Sequence, residues 1–84
     1  MEAQFAELIH SSRGVLSANE ASELLEFIEA RQYALAIEAL CGILVEEEKH
    51  VTPELYSRIH NLVETLDGVD PYVLESVRAV VRYQ

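Results

Sequence analysis

The chain has 84 residues, half of them hydrophobic, with only 3 glycines and 2 prolines. This composition can bury a core and argues against disorder, and the length fits one compact domain over residues 1–84. Fifteen acidic residues against six basic ones give a net charge of −9. Such a charge repels phosphate backbones and anionic lipids, so we expect no direct binding of nucleic acid or membranes. The complementary partner is a basic protein surface, although acidity can also serve solubility alone.

Three features bear on the compartment. The first residues, which include Glu2, lack the basic segment and the apolar run of a signal peptide. The longest nearly apolar stretch, residues 33–45, contains Glu38 and falls short of the roughly 20 residues that span a bilayer. Cys41 is the only cysteine, which suits a reducing compartment. We therefore expect a cytoplasmic protein.

Two helices are predicted in the first third of the chain. Apolar residues recur at helical spacing between Glu2 and Ser12, and Gly14 is predicted to end that helix. Ser17 and Glu20 have the spacing of a capping box, which starts the second helix. The apolar stripe of the second helix consists of Ala21, Leu24, Leu25 and Ile28, and glutamates cover its remaining surface.

The third predicted helix, Tyr33 to Val45, is apolar on nearly every side. A helix of this kind must be covered by several neighbours, so it is predicted to form the centre of a bundle. The acidic residues Glu46, Glu47 and Glu48 follow it. Carboxylates near a helix C-terminus oppose the negative end of the helix dipole, and this placement costs some stability.

Two further helices are predicted from proline-containing starts, Thr52-Pro53 and Asp70-Pro71, with Gly68 as a stop between them. Residues 72–83 are rich in valine and could form a strand by propensity. We favour a helix, because a lone strand lacks a partner for its backbone; its core-facing residues are then Val73, Val77, Val80 and Val81. The predicted fold class is all-α, a compact bundle of about five helices around a central apolar helix.

No catalytic, cofactor-binding or metal-binding signature is found in the sequence. The histidines His10, His50 and His60 lie in different elements and lack the spacing by which two imidazoles reach one metal. Cys41 falls in the most apolar helix, where a cysteine is usually an inert core residue. No phosphate-binding loop or nucleophile motif is present. We therefore expect a non-enzymatic protein without a cofactor.

The candidate partner-binding residues combine acids with aromatics. Tyrosine is enriched in interface hot spots, although it is also an ordinary residue at the edge of a core. A tyrosine ringed by acids would suit a basic target. The candidates are Glu46, Glu47, Glu48, Tyr56, Asp67, Asp70 and Tyr72.

Several segments together resemble a known family. They are the capped, acid-rich helix that begins at Ser17, the apolar block of residues 29–41, the acidic residues 46–48, and the segment 51–59 with its Thr-Pro-Glu-Leu-Tyr sequence. In order and length these segments resemble the MafI-type immunity proteins, which bacteria keep beside secreted polymorphic toxins. The resemblance covers most of the chain and implies a helical protein that binds and neutralises a cognate toxin domain.

The acidic charge suggests which toxin this would be. A toxin that attacks DNA or RNA needs a basic cleft, and an acidic inhibitor can use the same attraction that draws the nucleic acid. The hypothesis is therefore a nuclease toxin. Two alternatives remain open: an acidic nucleic-acid mimic that inhibits a defence nuclease, and a helical adaptor that associates with itself.

Overall fold

The computed structural model describes residues 2–12, 14–66 and 68–81, and these residues fold into five helices. No strand occurs within them, so the predicted all-α class is confirmed. The helices are α1 (Glu2–Ser11), α2 (Ala18–Glu29), α3 (Tyr33–Glu46), α4 (Pro53–Thr65) and α5 (Pro71–Arg78).

The start of α2 is held by the predicted capping box. The Ser17 hydroxyl oxygen accepts a hydrogen bond from the Glu20 N–H at 3.1 Å, and the Glu20 carboxylate accepts one from the Ser17 N–H at 2.9 Å. Two backbone N–H groups that have no partner inside the helix are thereby satisfied.

The starts of α4 and α5 share one design, in which a capping side chain precedes a proline. Thr52 Oγ1 accepts from the N–H of Leu55 at 3.1 Å, and Asp70 Oδ1 accepts from the N–H of Tyr72 at 2.9 Å. The proline that follows each cap has a backbone angle suited to the first helical turn. Both predicted starts are confirmed.

Both α2 and α3 end through a residue in the left-handed conformation. Arg31 has φ 60°, and the N–H of Gln32 donates to the carbonyl of Phe27 at 2.9 Å, as in the Schellman motif. Glu48, with φ 50°, occupies the equivalent position after α3. Glycine is the usual residue at such positions, so both side chains sit in a strained backbone conformation.

The five helices form a closed ring around the hydrophobic core. Following the ring, α1 packs against α2, α2 against α3, α3 against α5, α5 against α4, and α4 against α1. The aromatic side chains of Phe5 and Tyr33 stack with 5.6 Å between their centroids, and this contact connects α1 to α3. The apolar helix α3 contributes the buried residues Ala36, Ile37, Leu40, Cys41 and Leu44.

The last helix is shorter than the valine pattern predicts. It ends at Arg78, so Val80 and Val81 lie outside it, and Tyr83 lies beyond the described residues. Val81 is buried and forms an isolated parallel β-bridge with Val51, in the connection between α3 and α4. Valine disfavours helix, and here Val51 offers the backbone partner that a strand needs. The helical interpretation was therefore wrong for Val80 and Val81.

Within the described ranges, no helix is both long enough and apolar enough to cross a membrane.

Candidate functional site

A groove between α3 and α5 brings acidic, aromatic and apolar side chains together. Its volume is about 280 Å³. It lies where these two neighbouring helices pack against each other. The residues that define it are Glu38, Gly42, Val45 and Glu46 on α3, with Tyr72 and Val73 on α5.

The α3 wall of the groove follows from helical spacing. Glu38, Gly42 and Glu46 are four residues apart, so they lie one above another on the same face of the helix. Gly42 has no side chain, and a Cβ atom built on it would meet no atom within 4 Å. The helix surface is therefore open at Gly42, with a carboxylate one turn away on either side.

The α5 wall is held in place by the start of that helix. The side chain of Tyr72 is 72% exposed, while its N–H donates to the capping carboxylate of Asp70. Its carbonyl accepts a hydrogen bond from Ser76 Oγ at 3.0 Å, and Ser76 also lines the groove. The backbone of Tyr72 is thus fixed while its ring remains available for contact.

The groove also reaches Cys41, whose side chain belongs to the core. Burial raises the pKa of its thiol to about 12, with a smaller contribution from the negative charge of Glu38. The thiol is therefore protonated at neutral pH and is a poor nucleophile. Cys41 contributes apolar surface to the groove, in line with its predicted role as a core residue.

The acidic residues after α3 extend the negative surface beyond the groove. Glu46, Glu47 and Glu48 are all exposed. The N–H of Lys49 donates to the carbonyl of Leu44 at 3.0 Å and closes the end of the helix beneath them. Glu46 lines the groove, and all three carboxylates lie at the negative end of the helix dipole.

The structure brings together part of the predicted binding set. Glu46 and Tyr72 line the same groove, and Asp70 caps the helix that carries Tyr72. Tyr56 belongs to α4, is half-buried against the core, and lies 6.2 Å from the ring of His60. Asp67 lies outside the described residues.

The carboxylates of the groove, like most acids among the described residues, lack a positive partner. Glu38 and Glu46 form no ion pair with any other described residue, whereas Arg58 Nη1 and Nη2 lie 4.0 Å and 3.5 Å from the carboxylates of Glu7 and Glu54. The surface formed by this groove and the acidic residues 46–48, here called the α3/α5 side, therefore carries negative charge that no positive partner balances within the described part of the chain.

A second groove, between α1 and α4, has a different character. Its volume is about 220 Å³, and its lining includes Glu7, Arg58 and Asn61. Because Arg58 contributes a positive charge, this groove is less suited to a basic partner than the groove between α3 and α5.

Histidines and carboxylates are not arranged as a metal centre in the described ranges, where no group of three potential ligands converges. His60 Nε2 lies 3.4 Å from the Glu64 carboxylate, one helical turn further along α4. This contact is an ordinary pairing along one helix face.

Sequence reasoning missed Gly42. An isolated glycine inside an apolar helical pattern is unfavourable and points to a local requirement for its small size. The pattern alone could have identified this position as unusual. It could not have shown that Gly42 lines a groove with residues of α5, because that depends on how the two helices pack.

Comparisons of the chain with protein-family models, with curated proteins and with solved structures return no match.

Proposed function

We propose that this chain is an immunity protein that binds a bacterial toxin domain directly and neutralises it without catalysis. The toxin in this proposal is a nuclease with a basic cleft. The sequence pattern that resembles the MafI-type immunity proteins supports the role. The observation that carries the proposal is the groove between α3 and α5, where unpaired acids lie beside an exposed tyrosine.

Electrostatics explains how such a protein would find its target. A net charge of −9 attracts a basic cleft over distances set by the screening length, about 8 Å at physiological salt. The groove acids and the exposed residues Glu47 and Glu48 add to this field on one side of the molecule. Complementary charge mainly accelerates encounter and selects the orientation of docking.

Close contact after encounter requires more than charge. Interface hot spots are enriched in tyrosine, and the exposed ring of Tyr72 stands beside the half-buried Val73 and Val45. The groove thus combines an aromatic anchor, an apolar floor and an acidic rim. These are the features expected of a surface that covers a basic site on another protein.

The proposal predicts a toxin gene beside this one, and the test uses the toxin domain that such a gene encodes. The immunity role predicts that co-expression rescues cells from that toxin, and that the purified protein inhibits its nuclease activity at a one-to-one ratio. The rate of association should fall as salt rises. Failure of the protein to bind the neighbouring toxin domain would contradict the proposal, and a tight complex insensitive to salt would contradict electrostatic steering.

Self-association is a second candidate function, favoured by exposed apolar side chains. Leu25 is 41% exposed and Leu35 is 47% exposed, in addition to Tyr72. Exposed apolar residues of this size can form contacts between copies of one chain. Equilibrium sedimentation decides between the two functions, because an adaptor of this kind forms a stable dimer without any other ligand.

A further inference from the structure

We infer that the groove between α3 and α5 is a receptor for an arginine side chain of a basic partner protein. The guanidinium would lie over Gly42, between the carboxylates of Glu38 and Glu46 and beside the ring of Tyr72. This inference deepens the proposed function, on which the identity of the partner rests. The arginine preference of the groove can be tested without the partner.

Gly42 is the first argument for this site. Glycine is the least favourable helix residue after proline, yet it lies in the middle of α3. Close helix packing does not explain it, because a Cβ atom at this position would meet nothing within 4 Å. What the glycine provides is open space at the groove, and a larger side chain would occupy that space.

The spacing of the two acids is the second argument. At a rise of 1.5 Å per residue, Glu38 and Glu46 each lie about 6 Å along the helix axis from Gly42. A guanidinium above Gly42 can therefore approach both carboxylates, and its several N–H donors can be shared between them. Neither acid has an ion-pair partner among the described residues, so both are free to accept a cation.

The opposite wall favours arginine over lysine. The ring of Tyr72 is 72% exposed at the groove, and a planar guanidinium stacks on an aromatic face, whereas an ammonium is a compact and strongly hydrated charge. The half-buried Val45 and Val73 offer apolar surface to the aliphatic part of the arginine side chain. The groove therefore matches both halves of that side chain.

The probe for the experiment is acetyl-arginine amide, titrated into isotope-labelled protein and followed by NMR. Acetyl-citrulline amide, which has nearly the same shape without the charge, serves as the matched probe. We expect saturable shifts centred on the amides of Gly42, Tyr72 and Val73, with at least tenfold weaker binding of the citrulline probe. Equal binding of the two probes, or no saturable shift in the groove, overturns the inference.

Two substitutions by leucine, one in each groove, locate the site. Gly42→Leu places a side chain in the groove, and Asn61→Leu introduces the same apolar side chain at the groove between α1 and α4. Gly42→Leu should abolish the arginine shifts, while Asn61→Leu should leave them unchanged. Retained shifts in Gly42→Leu would overturn the inference. Should that variant fail to fold by circular dichroism, the paired substitution Glu38→Gln and Glu46→Gln takes its place, with the same expected loss.

Binding to the toxin domain distinguishes failure of this inference from failure of the proposed function. If the unmodified protein and Gly42→Leu bind the toxin domain equally tightly, the immunity role stands and the groove is not its docking site. If the unmodified protein does not bind the toxin domain but binds the arginine probe in the groove, the groove stands and the immunity role fails.

Discussion

Glu20 joins the start of α2 to the connection between α3 and α4, because its Oε1 lies 3.3 Å from Lys49 Nζ. The two side chains are only 20% and 23% exposed, respectively. The same carboxylate accepts the hydrogen bond from the Ser17 N–H. This hydrogen bond, assisted by Lys49, lowers the pKa of Glu20 below its ordinary value of 4.5. A local cap is thus also a tertiary contact.

The lowered pKa predicts a pH-dependent effect of Glu20→Gln. A carboxylate with a lowered pKa stabilises the fold above its unfolded pKa, here 4.5, and this contribution is lost as the pH falls through the folded pKa. The melting temperature of Glu20→Gln should therefore lie a few degrees below that of the unmodified protein near neutral pH. The difference should shrink in strong acid, as measured by circular dichroism.

Glu23→Gln is the control for that experiment. Glu23 is an exposed residue of the same helix and forms no ion pair with another described residue. The two substitutions change the net charge equally, so a general charge effect would shift both melting temperatures alike. Equal losses in the two variants would show that the contacts of Glu20 with Ser17 and Lys49 contribute nothing specific.

These contacts show how far sequence reasoning reaches in the fold. The caps of α2, α4 and α5 were predictable because each depends on residues within a few positions, such as Ser17 and Glu20. The pairing of Glu20 with Lys49 was not, since it depends on how α2 packs against α3. The bridge between Val51 and Val81 is likewise a contact between distant segments. A periodic valine pattern cannot reveal such a partner.

Arg31 predicts a stabilising substitution. Its φ of 60° is unfavourable for any residue with a Cβ atom, and glycine relieves that strain. The free energy of unfolding of Arg31→Gly, measured by urea denaturation, should be about 1 kcal/mol higher than that of Arg31→Ala. Both variants remove the same charge, so the comparison isolates the Cβ atom.

The neighbouring Ala30, with φ −81°, is the control for Arg31. Glycine offers no conformational advantage there and is more flexible in the unfolded chain. Ala30→Gly should therefore destabilise the protein. If glycine stabilises both positions, relief of left-handed strain is not the cause.

The buried thiol of Cys41 predicts protection from alkylation. Since its pKa rises from 9.0 to about 12 on folding, native Cys41 should react with iodoacetamide on the order of a hundredfold more slowly than in urea. For the same reason stability should fall as the pH rises above 9.0 towards 12. Mass spectrometry measures the labelling, and equal rates in native and unfolded protein would contradict the burial.

Gly42 predicts a gain in stability on substitution. Because its Cβ atom would meet no neighbour, Gly42→Ala should raise the free energy of unfolding by roughly 0.8 to 1 kcal/mol, the difference in helix propensity. Gly68 has a left-handed backbone conformation, with φ 88°, which disfavours any residue with a Cβ atom. Gly68→Ala should therefore lower the free energy of unfolding. Urea denaturation compares the two. A loss of stability in Gly42→Ala would show that helix packing requires glycine at this position, which would contradict the interpretation of Gly42 as open space in the groove.

The candidate site was predictable in its chemistry but not in its assembly. Glu46 and Tyr72 were selected separately, one as part of an acidic run and the other as a tyrosine beside acids. Only the packing of α3 against α5 places them in one groove. The same reasoning selected Tyr56, which packs half-buried against the core on another helix. Composition identifies residue types suited to binding, whereas the shared surface depends on tertiary structure.

Charge reversal of the acidic run is the direct test of steering. The triple substitution Glu46→Lys, Glu47→Lys and Glu48→Lys changes the net charge from −9 by +6, to −3. Under the proposed function, association with the neighbouring toxin domain should slow by roughly 10- to 100-fold at low salt. Dissociation should change less, because these exposed charges act mainly on encounter. Stopped-flow or surface plasmon resonance measurements separate the two rates.

The matched control reverses three acids on another helix. Glu23, Glu26 and Glu29 are exposed on α2, and their substitution by lysine changes the net charge by the same amount. If steering acts through the α3/α5 side, this control should slow association less than reversal of residues 46–48, and the difference should vanish as salt shortens the screening length. Equal slowing in both variants would mean that total charge drives encounter, and unchanged association on reversal of residues 46–48 would remove that segment from the approach path.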